Sequence, residues 1–317
     1  MPEDHSVYQE LLEFAYGLAQ EASDLILDGS AARWKALNTP SSKKNSVDLV
    51  TETDRAVEDM IKRAIASRYP SHKFIGEESY DDGERQSFTD EFTWIIDPID
   101  PTTWGSLMQS PFVACSIGLT HNSKPVVGVI ALPFMNQIYS ARLGGGAFLN
   151  GSIPLPLTGG IPQLLGDLSQ CLIIAEWGSD RSAETFRAKA ATFVRLAGDP
   201  SKGVEGGVMA HALRTSGSTV YNLTMIAAGQ ADVYPDAGCY AWDVCAGSII
   251  LQEAGGFFSG GKQAFSSNAA IGEILFSRRY VAVRPVAATS TETSEQIQRR
   301  IVRELYEVME EWTTSDM

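Results

Sequence analysis

Four short segments carry acidic residues at the points where strands or helices should end or begin. They are "VDLVTETD" with Asp48 and Asp54, "FIGEES" with Glu77 and Glu78, "WIIDPID" with Asp97 and Asp100, and "WDVCAG" with Asp243. Each has an ordinary explanation. Thr51 and Asp54 have capping-box-like spacing, Glu77-Glu78 suits a solvated turn, and Asp243 suits a helix N-cap or an early-turn acid favoured by the helix dipole. Together they point elsewhere. Both "FIG" and "WII" are apolar strands that run straight into acids, and acids at strand ends can converge at one sheet edge. Clustered carboxylates repel and raise one another's pKa unless cations neutralise them. All-oxygen ligands select hard ions, so Mg²⁺ is the natural occupant, with Mn²⁺ as the alternative. Such sites usually await substrate phosphates, and paired ions can activate water and stabilise a leaving oxygen.

The elements that must position these acids are legible from periodicity. Val7, Leu11, Phe14, Leu18, Leu25 and Ile26 keep helical spacing and predict a long opening helix. "TPSSKKNS" reads as a mobile loop, and Val57, Met60, Ile61, Ala64 and Ile65 mark a second helix closed by Tyr69-Pro70. "KFIG" is a short strand, and the run Trp94–Ile96 is a buried strand that stops at Asp97. The runs "PFVACSIGL", "PVVGVIALP" and "QIYSAR", followed by "GGGAFLNG", predict an antiparallel meander. Gly144–Gly146 read as hairpin glycines, because no helix follows to make a phosphate loop.

The second half alternates strand and helix. "CLIIAEWG", "ADVYP" and "RRYVAVRP" read as strands, with helices over residues 181–197, 217–229 and 242–254, the last ended by Gly255-Gly256. A final helix carries Ile297, Ile301, Leu305, Met309 and Trp312 on one side. A boundary near "TGGIPQLLGD" gives two lobes, 1–155 with most of the acidic motifs and 156–317 completing the metal and substrate site.

Bulk properties exclude some partners. The 317 residues have a net charge of −14. Such a surface repels nucleic acid and anionic membranes, so neither is expected as a partner. Phosphate esters are repelled too, unless bound cations reverse the field locally. The four cysteines (Cys115, Cys171, Cys239, Cys245) form no C-x-x-C pair and read as reduced thiols in a cytoplasmic protein. No apolar run reaches membrane-spanning length, the first residues lack a signal-peptide pattern, and His5, His72, His121 and His211 show no zinc-like spacing.

The segments "VDLVTETD", "GEES", "WIIDPID-TT" and "WDVCAGSIILQEAGG" resemble the inositol monophosphatase family, in order and at fitting distances, from the first helix to "RRYVAVRP". The resemblance implies a Mg²⁺-dependent, Li⁺-sensitive phosphomonoesterase. Its fold would be α/β (α+β), a layered αβαβα sandwich of the inositol monophosphatase and fructose-1,6-bisphosphatase type. It further implies that Glu77, Asp97 and the Ile99 carbonyl hold one ion, that Asp97, Asp100 and Asp243 hold a second, and that Glu77 and Glu78 lie beside a third. Thr102, paired with Asp54, would orient the attacking water, and Lys43 would sit near the metals. Gly217 and Ser218 would open the helix facing the substrate, Asp236 would contact a substrate hydroxyl, and Ser179 is a weaker match. The substrate implied is a small phosphorylated polyol, above all an inositol monophosphate, and the assembly implied is a homodimer.

One departure falls inside the most demanding motif. The family has glycine after the second aspartate, and here the residues are Pro101 and then Thr102, Thr103 and Trp104. Proline suits a first helical position but removes an N–H that would face the phosphate. The lost charge-assisted bond is worth about 1.5–3 kcal/mol. Trp104 either packs or lines the substrate pocket. Two alternatives follow: an enzyme on the same scaffold with altered substrate or chemistry, or a non-catalytic metabolite-binding homologue.

Overall fold

The computed structural model describes residues 5–37, 46–83, 88–100, 110–178, 180–310 and 312. They fall into two compact units. One takes the described residues up to Ser152 with Ser218–Tyr221 and Ala241–Ile250; the other takes Ile153–Gly217, Asn222–Tyr240 and the residues from Leu251 onward.

The first unit opens with helices α1 (His5–Leu37) and α2 (Ser46–Arg68). Their buried stripes recur every three or four residues: Leu11, Ala15, Leu18, Ala22 and Ile26 on α1, and Val57, Ile61 and Ile65 on α2. Strand β1 (Lys73–Gly76) leads directly into the short helix α3 (Glu77–Asp81). There follow β2 (Thr93–Asp100), β3 (Ala114–His121), β4 (Lys124–Leu132), β5 (Gln137–Arg142) and β6 (Gly146–Leu149). These strands are neighbours in chain order, with β1 parallel to β2 and the remaining pairs antiparallel, so the expected meander is present. Gly144 and Gly146 have φ of 68° and 79° in the β5–β6 turn, as hairpin glycines require.

The second unit holds β7 (Ile153–Pro154), β8 (Leu172–Ile174), α4 (Ala183–Ala197) and β9 (Ala212–Arg214). Next come α5 (Thr219–Ala227), whose first turn belongs to the first unit, and β10 (Val233–Ala237). After α6 (Ala241–Glu253) come β11 (Phe257–Gly260), α7 (Lys262–Ser267), α8 (Ile271–Leu275), β12 (Arg279–Val283) and α9 (Ser294–Val308). Its sheet runs β11-β12-β10-β8-β9. Ile173, Val233, Val281 and Val283 form one core with Leu196 of α4 and with Ile297, Ile301, Val302 and Leu305 of α9. A capping box of Thr293 and Gln296 starts α9.

The two faces of the first unit's sheet are set by the period of two along its strands. Ile117, Leu119, Val127 and Val129 join the core shared with α1 and α2. Gly118 and Gly128, paired across β3 and β4, face the other way and lie against Cys245, Ala246 and Ile249 of α6.

Three expectations are corrected. Strand β2 does not stop at Asp97 but continues to Asp100 through an irregularity in its pairing. Because α2 begins at Ser46, Thr51 lies inside the helix, and the capping-box reading of Thr51 and Asp54 fails. Helix α9 ends at Val308, so Met309 is its C-cap and Trp312 lies beyond it, though both stay in the core cluster. The loop "TPSSKKNS" lies outside the described residues apart from Ser46. Among the described residues, no helix is long and apolar enough to cross a membrane.

Candidate metal centre

Asp97 and Asp100 are three residues apart, so in a regular strand they would point to opposite faces. The pairing of β2 with β3 removes that conflict. Asp97 is opposite Ser116 and Asp100 is opposite Ala114, so β2 advances three residues while β3 advances two. The extra residue is a β-bulge, and it turns Asp100 to the side of Asp97. Pro98 sits within this stretch, where the missing N–H costs no regular ladder bond.

Asp97 shares its face with Ser116, Gly118 and Gly128, which is the face that α6 covers. A side chain at either glycine would collide with that helix. A Cβ on Gly118 would lie 2.6 Å from Cys245 Sγ, and one on Gly128 would lie 2.4 Å from the Ala246 carbonyl. Ser116 Oγ donates to the Trp242 carbonyl at 3.0 Å. This close seat brings Asp243, in the first turn of α6, to the two strand aspartates. One oxygen from each of Asp97, Asp100 and Asp243 lies within 4.8 Å of the others.

Asp100 is held from a second direction. Its Oδ2 accepts from Ser218 Oγ at 2.7 Å and from the Val220 N–H at 2.8 Å, while Ser218 Oγ accepts from the Tyr221 N–H at 3.0 Å. Asp100 and Ser218 thus cap the first turn of α5 jointly, supplying negative charge where the helix dipole favours it.

The acids around this trio are strained electrostatically. Burial, then repulsion from Asp243, Asp100 and Asp54, pushes Glu77 up to about 9, against a hydrogen bond with Asp97 that pulls it down. Asp97, 1% exposed, is raised well above the carboxylate range by burial and then by Glu77, Asp100 and Asp243. Asp54 is pushed up to about 8 by burial and then by Glu78, with Arg33 opposing. Glu78 is raised by burial and Glu58, and ion-pairs with Arg55 at 3.4 Å. Asp97 Oδ1 and Asp54 Oδ2 are buried and make no hydrogen bond. A hard divalent cation fits this donor set: it would satisfy oxygens that no N–H or O–H serves and cancel the mutual repulsion.

A model of the inositol monophosphatase family matches residues 7–310. The chain belongs to the inositol monophosphatase family. Protein qutG of Emericella nidulans is 39% identical over 94% of this chain and 92% of its own length. The quinic acid degradation cluster protein x of Neurospora crassa is 34% identical over 94% and 93%. Human inositol monophosphatase 1 is 37% identical over 78% and 83%. Among solved structures, inositol monophosphatase II of Staphylococcus aureus superposes with a TM-score of 0.68 at 25% identity, covering 94% of this chain and 95% of that one. The expected fold is therefore present, and the chain carries the phosphatase fold of a metal-dependent family.

Of the residues the family resemblance singles out, Asp97, Asp100 and Asp243 come together with Glu77 beside them, and Ile99 is buried in the bulge. Glu78 points to Arg55, and Ser218 binds Asp100. Gly217 and Asp236 belong to the second unit. There Asp236 is buried and accepts from the Tyr234 hydroxyl and, at 2.7 Å, from the Ala237 N–H. Lys43, Pro101, Thr102, Trp104 and Ser179 lie outside the described residues.

Two organising acids escaped the sequence reading. Glu58, 3% exposed, accepts from the start of α3. Its signal was available: it follows Asp54 by one helical turn inside the buried stripe of Val57, Ile61 and Ile65. Glu176, buried just after β8, accepts from Thr215 Oγ1 at 2.5 Å, the Ser216 and Gly217 N–H groups at 2.7 and 3.0 Å, and Asn222 Nδ2 at 2.9 Å. Burial pushes its carboxyl up, but these bonds outweigh it and hold the pKa below the ordinary value. An acid just past an apolar strand was the pattern already used for Glu77 and Asp97.

Proposed function

We propose that this chain is a Mg²⁺-dependent phosphomonoesterase that hydrolyses a small polyol phosphate, with an inositol monophosphate as the leading substrate. The carrying observation is the trio Asp97, Asp100 and Asp243, whose oxygens lie within 4.8 Å of one another while a buried Asp97 oxygen has no hydrogen bond. Glu77, Asp97, Asp100, Asp243 and the Ile99 carbonyl would hold Mg²⁺, or Mn²⁺ in its place, with Glu78 nearby. Bound there, the ion supplies a water of lowered pKa and positive charge against the phosphoryl oxygens. Thr102 and Asp54 orient the attacking water; Lys43, Gly217, Ser218, Asp236 and Ser179 receive the substrate. The chain works in the cytoplasm as a homodimer.

A second reading of the substrate is supported by the relatives. One sharing 34% identity is named for a quinic acid degradation cluster. Quinic acid, like inositol, is a polyhydroxylated cyclohexane, and it carries a carboxylate as well. Pro101 and Trp104, which depart from the family motif next to Asp100, also favour a shifted substrate.

Phosphate release from inositol, sugar and nucleotide monophosphates and from a quinate phosphate, with Mg²⁺ or chelator, tests both readings. Metal-dependent turnover of an inositol phosphate supports the first, and turnover confined to the quinate ester supports the second. Tight Mg²⁺ binding with no turnover of any ester would instead indicate a non-catalytic binding protein.

A further inference from the structure

We propose that Glu58 is a positioning residue that fixes Glu77 for cation binding by clamping the backbone on both sides of it. The inference rests on the reading of Glu77 as a metal ligand.

Glu58 Oε2 accepts the Glu78 N–H at 2.8 Å; Oε1 accepts the Ser79 N–H at 2.8 Å and Ser79 Oγ at 2.5 Å. Lys62 Nζ in turn donates to Ser79 Oγ at 3.0 Å. The two amides belong to the first turn of α3, where no helical carbonyl can reach them. On the other side of Glu77 the same carboxylate lies over Gly76, where an added Cβ would sit 2.5 Å from both Glu58 Cδ and Oε2. Glu77 is therefore the residue between two pinned positions, at the junction of β1 and α3. Its side chain faces the acidic cluster, where Asp243 and Asp100 act on it electrostatically.

A plain cap for a five-residue helix needs only a neutral hydroxyl or amide. Glu58 instead adds a negative charge that repels Asp54 and Glu78. That cost is explained if geometry matters more than charge here, because Mg²⁺ demands near-ideal octahedral ligand placement.

The test uses the full chain with Glu58→Gln, Gly76→Ala, Ser79→Ala and Glu77→Gln. Mg²⁺ binding is measured by calorimetry, and melting is followed in chelator and in excess Mg²⁺. Glu58→Gln and Gly76→Ala should each weaken Mg²⁺ binding by about tenfold or more, equivalent to about 1.4 kcal/mol, and Ser79→Ala by less. Gly76→Ala keeps the carboxylate but displaces it, so it carries the test even if Glu58→Gln fails to fold. In a Glu77→Gln background, the Glu58 and Gly76 substitutions should cause little further loss, a non-additivity that general destabilisation does not produce. Wild-type Mg²⁺ affinity in Gly76→Ala, with Glu77→Gln impaired, overturns the clamp and leaves Glu77 as a ligand. Wild-type affinity in Glu77→Gln overturns both.

Discussion

Gly128→Ala tests whether the seat of α6 on the sheet sets the metal centre. The new Cβ would meet the Ala246 carbonyl at 2.4 Å and Ile249 Cγ2 at 2.5 Å, where ordinary contact begins at 3.4 Å. Relief requires α6 to retreat by about 1 Å, because a backbone carbonyl cannot rotate aside as a long side chain can. Asp243 lies one turn before Ala246 and would retreat with it. Bonds to Mg²⁺ are about 2.0–2.1 Å and tolerate roughly 0.2 Å of error. We therefore predict at least a tenfold loss of Mg²⁺ affinity by calorimetry, together with about 1–3 kcal/mol of lost stability from overpacking. Thermal melts in chelator isolate the packing cost, and melts in excess Mg²⁺ add the ligand cost. If Gly128→Ala binds Mg²⁺ as the wild type does while losing stability in chelator, the sheet absorbs the methyl group and the seat does not position Asp243.

Further outcomes are expected. Pro101→Gly should restore an N–H toward the phosphate and raise phosphate affinity or turnover by about ten- to hundredfold; unchanged values for both would refute the missing-donor argument. In chelator, Glu77 and Asp54 keep protons up to about 9 and about 8 when folded, against ordinary values of 4.5 and 3.8. The native state then binds more protons than the unfolded one, so metal-free stability should fall as pH rises from about 4 toward 9, and the melting gain from Mg²⁺ should grow over that range. A gain that shrinks with rising pH would contradict this. His72 behaves in the opposite sense. Burial, then His121, lowers its pKa from 6.5, and its Nδ1 accepts the Trp94 indole N–H at 3.1 Å. Its contribution is present above 6.5 and lost as pH falls through its depressed folded value, so wild type minus His72→Gln stability, compared by denaturant melts, should diminish on acidification.

Much of this was readable from residue types, and the reason differs by element. Apolar spacing announced α1, α2 and the meander because each buries one continuous stripe or face. The acids at the ends of "FIG" and "WII" announced the centre because carboxylates rarely follow buried strands without a partner. Periodicity could not show the bulge in β2, since pairing register depends on a strand distant in sequence. Nor could it show that Gly118 and Gly128 form a seat, because a glycine's role there is the helix it admits. Short elements such as α3, β9 and β11 hold too few residues to display a period. Glu58 sits in the buried stripe of α2, but the amides it serves belong to α3, whose few residues show no period.

The β2 bulge also constrains how this segment can change. Asp97 and Asp100, three residues apart, look the same way because one of the residues between them is extra to the pairing with β3. Losing Pro98 or Ile99 would remove the bulge but leave the aspartates two residues apart, a spacing that an unbroken ladder still places on one face. A single-residue deletion between the two aspartates should therefore keep both carboxylates on the face that α6 covers, and the cation affinity of that variant reads whether the bulge sets their spacing as well as their side.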